Sequence, residues 1–278
     1  MKINVARNGG FCFGVRRALA IALKTAASGA QVEMLGDIVH NEDVVKQVNA
    51  AGIRTIKRLG RGDNKTLLIR AHGSSQEVFD RAVKRGYRIV DATCPKVRKI
   101  YKLAEVSKRE GCEVIIIGDR HHDEVRGIVG QLRGKAVVIN SLKAFPLKTI
   151  QKIRKACVVV QSTQNLDTTL QILARLKQYI RSLNFYNTIC RPTRIKQQEI
   201  KILPLQNDAM VIIGSRTSAN TRRLYEIAKS LNKKTYWIQS RGELKAAWFK
   251  GLKSVGIMAG ASTPDETTRS VIEAIRGF

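Results

Sequence analysis

No stretch of the 278 residues stays apolar for anything near the ~18 residues of a membrane-spanning helix, so no membrane span is expected. Cysteine is sparse: there are five, an odd number, with no C-x-x-C among them. That spacing excludes zinc ribbons, thioredoxin-type redox pairs and the usual ferredoxin pattern. A chain of this length builds its own core, so disulfide staples are not expected and a reducing compartment is. Acidic residues are scarce, 22 against 50 Lys and Arg, and the net charge is +28. Such an excess fits anionic partners (nucleic acid, acidic proteins or phosphorylated metabolites) and equally fits a solvated basic surface. Aromatics make up only 5%, and few fall among the basic residues, which counts against a single-stranded nucleic-acid surface. Low-complexity segments and long linkers are missing as well. Near the N-terminus Ala18–Leu23 resembles a secretion signal, but Lys24 cuts it short of the ~7–15 apolar residues such a signal needs. Val15, Leu19, Ala22 and Leu23 keep helical spacing instead, and the expected location is the cytoplasm.

What the sequence does have is one setting used three times. Cys12 closes the strand-like run Ile3–Arg7, Cys94 closes Tyr87–Val90, and Cys190 closes Phe185–Thr188. Each then opens a helix-like stretch: Phe13–Ala26, Pro95–Glu110 and Thr193–Ile202. Pro95 and Pro192 suit a first helical turn, and Gly9-Gly10 before Cys12 permits close backbone approach. A helix N-terminus offers free backbone N–H groups and partial positive charge. That setting lowers a thiol's pKa and suits an anionic cluster. Three such thiols converging from three parts of a fold would hold an iron–sulfur cluster by three corners and leave one iron open. Cys112 and Cys157 sit at the start of apolar strands and read as ordinary buried side chains.

Six apolar runs each lead into a polar loop. Val32–Leu35 leads to His40, Thr66–Ile69 to His72, and Glu113–Ile117 to His122 and Glu124. Cys157–Val160 leads to Ser162-Thr163, Met210–Ile213 to Ser218 and Asn220, and Val255–Met258 to Ser262. Taken alternately, these loops advance by 82 and 96 residues, then by 91 and 99, and the cysteines also step by 82 and 96. The matched steps predict three similar α/β repeats with mainly parallel strands. The expected domains are 13–94 with the His40 and His72 loops, 95–190 with the His122/Glu124 and Thr163 loops, and 191–278 plus 1–12 with the Ser218/Asn220 and Ser262 loops. In parallel sheets, loops after strand C-terminal ends bind ligands. The three loop histidines can donate hydrogen bonds to an anionic oxygen, and Ser218, Asn220 and Ser262 add short polar groups of the kind that cradle phosphate. Glu124 is the candidate proton donor, since a partly dry carboxyl has a raised pKa. His121 reads as a surface residue.

These motifs resemble the 4-hydroxy-3-methylbut-2-enyl diphosphate reductase family over essentially the whole chain. The resemblance is carried by Gly10-Phe11-Cys12-Phe13-Gly14-Val15, His40-Asn41 with Val44-Val45, Ala71-His72-Gly73, and Asp91-Ala92-Thr93-Cys94-Pro95. His122 with Glu124-Val125, Gly130-Gln131, Thr188-Ile189-Cys190, Ser218 with Asn220-Thr221, and Gly260-Ala261-Ser262-Thr263-Pro264 complete the ordered set. The resemblance implies three α/β domains in a pseudo-threefold cloverleaf around a central [4Fe–4S] cluster with Cys12, Cys94 and Cys190 as ligands and one open iron. It implies a diphosphate pocket at His40, His72, His122, Ser218, Asn220 and Ser262. Proton delivery is implied at Glu124, with Thr163 and His122 nearby.

The implied reaction is reductive dehydroxylation to isopentenyl or dimethylallyl diphosphate plus water. The two electrons would come from an acidic donor of the ferredoxin or flavodoxin type, drawn in by the basic residues that follow each cysteine: Arg16 and Arg17; Lys96, Arg98, Lys99 and Lys102; Arg191, Arg194 and Lys196. The chain departs from the family pattern at several places. Asp123 replaces a proline, which is expected to loosen that loop and to perturb Glu124. Ala219 replaces a serine, Ser162-Thr163 a threonine pair, and Arg191-Pro192-Thr193 a Tyr-Ala-Thr run. Two rival readings are a basic nucleic-acid-binding protein, with no specific nucleic acid expected on the main reading, and an iron–sulfur or zinc scaffold without catalysis. The first gives no reason for three matched cysteines, and the second has no need for Glu124.

Overall fold

Twelve strands form three separate four-stranded sheets, and every strand pair is parallel. The computed structural model describes residues 1–278. β1 (Lys2–Val5) leads to Cys12 and α1 (Phe13–Ala26). Next come β2 (Gln31–Leu35), α2 (Glu42–Ala50), β3 (Ile53–Ile56), β4 (Lys65–Ile69), α3 (Gln76–Lys84) and β5 (Arg88–Asp91), ending at Cys94 and α4 (Pro95–Arg109). β6 (Glu113–Ile117), α5 (Asp123–Gln131), β7 (Val137–Ile139), α6 (Leu147–Ile150), β8 (Lys155–Val160), α7 (Leu166–Lys177) and β9 (Ser182–Phe185) follow, ending at Cys190 and α8 (Arg191–Ile200). β10 (Ala209–Ile213), α9 (Ala219–Leu231), β11 (Thr235–Ile238), β12 (Ser254–Ala259) and α10 (Asp265–Arg276) complete the chain.

One strand order serves all three sheets: β3-β2-β4-β5, β7-β6-β8-β9 and β11-β10-β12-β1. In each, the chain leaves the first strand (β2, β6 or β10) toward one edge and returns on its other side. That reversal makes a switch point between the two central strands, and loops leaving their C-terminal ends in opposite directions open a crevice there. The loops that carry the candidate residues are the ones that follow these central strands. By internal contacts the chain forms two compact units, one of Met1–Arg16, Val39–Lys46 and Arg191–Phe278, the other of Arg17–Ile38 and Gln47–Cys190.

The central strands are continuous β-branched runs because both faces are covered. Along β6 and β8, Ile115, Ile117, Val158 and Val160 pack with Ile172 and Leu176 of α7. The alternate residues Val114, Ile116 and Val159 pack with Ile100 and Ala104 of α4 and with Val125 and Ile128 of α5. In the sheet of the first unit, Val211, Ile213, Val255 and Ile257 meet Val271 and Ile275 of α10, while Met210, Ile212 and Met258 meet Ile200 of α8 and Leu224 of α9. Each fully buried aliphatic side chain of this kind contributes roughly 1.5–3 kcal/mol.

Three expectations change at this level. The fourth strand of each sheet (β3, β7 and β11) carries no polar loop of the repeat, and the sequence pattern alone did not assign it. The strand expected over Phe185–Thr188 is Ser182–Phe185. Beyond it the pairing passes to a side chain, since the Val160 N–H donates to Thr188 Oγ1 at 2.7 Å. The third helix begins at Arg191, directly after Cys190, so Pro192 lies in its first turn.

Candidate functional site

The three cysteines are placed alike by backbone hydrogen bonds. The Cys12 N–H donates to the Ala261 carbonyl at 3.1 Å, that of Cys94 to Ala71 at 3.0 Å, and that of Cys190 to Ser162 at 3.0 Å. Each acceptor is the residue just before a candidate polar group: Ser262, His72 and Thr163. Each thiol is therefore tethered to the loop after the third strand of its own sheet. The Cys12 and Cys94 carbonyls accept the Arg16 and Arg98 N–H groups at 3.0 Å, opening α1 and α4. Cys12, Cys94 and Cys190 are half-buried, Cys112 and Cys157 are buried, and no disulfide forms. Burial pushes the pKa of the Cys112 thiol upward, and the neighbouring Cys157 adds to that.

Helix α8 grips the loop that leads to Cys12. Lys196 is 3% exposed, and its ammonium donates to the carbonyls of Asn8 and Gly10. The Glu199 carboxylate accepts from the Arg7 and Asn8 N–H groups at 2.6 and 3.1 Å. Gly10 has φ +76°, and a Cβ there would lie 2.6 Å from Asp265 Oδ1, so only glycine lets the chain turn at that point. Lys196→Met keeps the packing volume and removes both bonds to the loop. Urea denaturation should then show a loss of about 1–3 kcal/mol, the cost of stripping partners from buried polar groups; an unchanged midpoint would contradict the grip.

Glu124 is 2% exposed. Its Oε1 accepts the Ser162 N–H and its Oε2 the Ser162 hydroxyl, both at 2.6 Å. Burial drives its pKa upward, and the two Ser162 bonds oppose the rise without cancelling it. Asp123 does not contribute to that shift, contrary to expectation; its carboxylate pairs with Arg70 Nη1 at 2.7 Å. His122 caps α5, its Nδ1 accepting the Glu124 N–H at 3.2 Å. That bond leaves the ring proton on Nε2, where it can be donated to an anion. The His122 and His72 rings meet edge to face, 5.4 Å between centroids. Thr163 Oγ1 accepts from Gln161 Nε2 at 2.9 Å, while Gln161 Oε1 accepts the Asp119 N–H at 2.9 Å. Sequence reasoning placed Ser162 in this loop but gave neither it nor Gln161 a role; only their position beside Thr163 pointed to them.

Within the first unit, Ser218 caps α9 through a bond from the Thr221 N–H to its Oγ, at 3.3 Å. Asn220 is 5% exposed, and its Nδ2 is a buried donor with no acceptor in the protein. An unpaired buried donor costs stability, and an anionic oxygen would relieve that cost. The Ser262 hydroxyl donates to the His40 carbonyl at 2.9 Å, so it holds the histidine loop. The basic residues near the thiols are partly neutralised: Arg16 pairs with Asp265 at 3.2 Å and Arg98 with Asp91 at 2.8 Å. Lys96, Lys99, Lys102, Arg191 and Arg194 remain exposed.

A family model described as LytB protein matches residues 3–276. The 4-hydroxy-3-methylbut-2-enyl diphosphate reductase of Geobacter metallireducens is 37% identical over 276 residues, covering 99% of this chain and 97% of its own. The same-named reductase of Aquifex aeolicus is 37% identical over 280 residues, covering 98% and 96%. A solved structure of (E)-4-hydroxy-3-methyl-but-2-enyl diphosphate reductase, the terminal enzyme of the non-mevalonate pathway, aligns with a TM-score of 0.72 at 36% identity, both chains covered in full. The reductase structure from Plasmodium falciparum aligns with a TM-score of 0.89 at 23% identity over 98% of this chain and 87% of its own, a likeness of fold.

Proposed function

Because the chain belongs to the LytB family, we propose that it is the oxidoreductase that converts 4-hydroxy-3-methylbut-2-enyl diphosphate to isopentenyl and dimethylallyl diphosphate plus water. The observation that carries this reading is the shared placement of Cys12, Cys94 and Cys190, each at a helix start and each tied to the loop bearing a candidate polar residue. A nucleic-acid-binding protein has no use for that arrangement, and the similar proteins are reductases. The domains read as 13–94, 95–190 and 191–278 with 1–12, one sheet in each.

The donor set fits an iron–sulfur cluster. Three half-buried thiols outside any disulfide lie at helix N-termini, while the two remaining cysteines are sealed in the core. Cys12, Cys94 and Cys190 are its ligands in this reading. A [4Fe–4S] cluster held there supplies one-electron transfer and a Lewis-acidic iron for the substrate hydroxyl. The electrons come from an acidic donor protein attracted to the exposed basic residues. Helix α5 begins at Asp123, and burial of the next residue, Glu124, favours its protonated form. Glu124 gives that proton to the departing hydroxyl oxygen, with Ser162 fixing its carboxyl and His122 and Thr163 bordering it. His40, His72, His122, Ser218 and Asn220 bind the diphosphate, Ser262 holds the His40 loop, and this remote binding orients the carbon skeleton.

Asn220→Ala removes the buried donor that awaits an anionic oxygen. A hydrogen bond to a charged group is worth ~1.5–3 kcal/mol, so KM for the diphosphate should rise by roughly ten- to a hundredfold. Steady-state kinetics under anaerobic conditions with a reduced dye would show it; an unchanged KM would remove Asn220 from the pocket.

A further inference from the structure

The loop that carries His72 and the loop that carries His122 and Glu124 are joined by an ion pair. Arg70 follows β4 and stands two residues before His72; Asp123 is the first residue of α5, between His122 and Glu124. Their side chains meet at 2.7 Å and are 20% and 19% exposed, sheltered enough for the pair to hold its geometry. Gly36 makes room for the guanidinium: its φ is +76°, and a Cβ there would lie 2.8 Å from Arg70 Nη1. A second tie reinforces the same junction. The Tyr101 hydroxyl donates to the His72 carbonyl at 3.2 Å, and a Cβ at either Gly73 or Gly127 would come within 2.3 Å of that hydroxyl. Gly73 lies in the His72 loop and Gly127 in α5, so the tyrosine occupies a notch between the two elements. The backbone on both sides of the junction is committed, with the Ala71 carbonyl holding the Cys94 N–H.

We propose that Arg70 and Asp123 are positioning residues that set the spacing of the His72 and His122 rings and thereby the affinity for the substrate diphosphate. The proposal rests on the reductase reading above. Asp123 was expected to slacken this loop; joined to Arg70, it fastens it instead. A pair that acts equally on ground-state and transition-state binding should change KM far more than kcat.

The test uses the full-length, iron-replete protein and compares Arg70→Met, Asp123→Asn and the double variant. Each single change should raise KM about tenfold while kcat stays within about twofold of the unmutated protein. The double variant should be no worse than either single one, because both remove the same contact. Arg70→Lys, which keeps the charge but loses the planar fork, should give a smaller rise. Iron content and visible absorption should be unchanged throughout. Unchanged KM in both single variants, or effects that multiply in the double variant, would overturn the positioning role. Failure of the iron-replete unmutated protein to reduce the alcohol diphosphate would overturn the reductase reading first, and the proposal with it.

Discussion

Serine in place of Cys12, Cys94 or Cys190 is expected to cut turnover by more than about a hundredfold, since changes merely adjacent to a metal ligand already cost 10–100-fold. The loss follows from the way the thiols are held. Each cysteine N–H is fixed to a loop carbonyl at 3.0–3.1 Å, so its side chain cannot be replaced by a shifted neighbour. Serine occupies the same space and preserves that backbone bond but is a poor ligand for iron. The three variants should therefore fold, as circular dichroism would show, yet lose iron together with activity. Alanine at Cys112 or Cys157 gives the contrast. These two are buried in the core, so their loss should lower stability and leave iron content alone. Iron retained at full stoichiometry in any one of the first three variants would exclude that residue as a ligand.

Glu124→Gln is expected to lower kcat by about 10²–10⁴-fold, the range for loss of a positioned general acid. Glutamine keeps the shape and can still meet Ser162, but it has no acidic proton to give. The pH dependence supports the same assignment. Burial raises the carboxyl's pKa above its ordinary value, so the protonated form persists into the range where an exposed glutamate is ionised. Activity that needs this proton falls as pH rises through the raised value. Stability follows the same direction. The folded protein holds a proton that the unfolded chain has released, so the contribution is complete below the ordinary carboxylate pKa and is lost as pH climbs through the raised one. Glutamine does not titrate, and the variant's melting temperature should vary less with pH across that window than that of the unmutated protein. A kcat within a few fold of normal, or an identical pH–stability curve, would remove Glu124 from this role.

The central strands and the loops after them were legible in the sequence because a parallel strand covered on both faces reads as a continuous apolar run. Glu113–Ile117 has the bounds expected, and Phe13–Ala26 is the helix its spacing announced. Of the edge strands, β1, β5 and β9 were found through the cysteine each leads to, whereas β3, β7 and β11 were not found. Ile53–Ile56 and Val137–Ile139 are four and three residues long and lead to no such marker. The end of β9 was misplaced because Tyr186–Thr188 still bonds to β8 beyond the strand, partly through a threonine hydroxyl, a distinction that composition does not carry. At the site, residue types were visible but partners were not. Thr163 stood out as a motif residue, whereas the group touching Glu124 is Ser162, and the turn after β8 decides which of two adjacent hydroxyls faces the carboxyl. Asp123 is the sharpest case. The missing proline suggested a looser loop, but the effect of the aspartate depends on Arg70, 53 positions away, which no local pattern reveals.

The most direct measurement is anaerobic turnover. Protein purified without oxygen should be brown and should oxidise a reduced viologen dye only when 4-hydroxy-3-methylbut-2-enyl diphosphate is added, two electrons for each substrate consumed, with isopentenyl and dimethylallyl diphosphate as products. An iron-replete preparation that leaves both dye and substrate untouched would contradict the account.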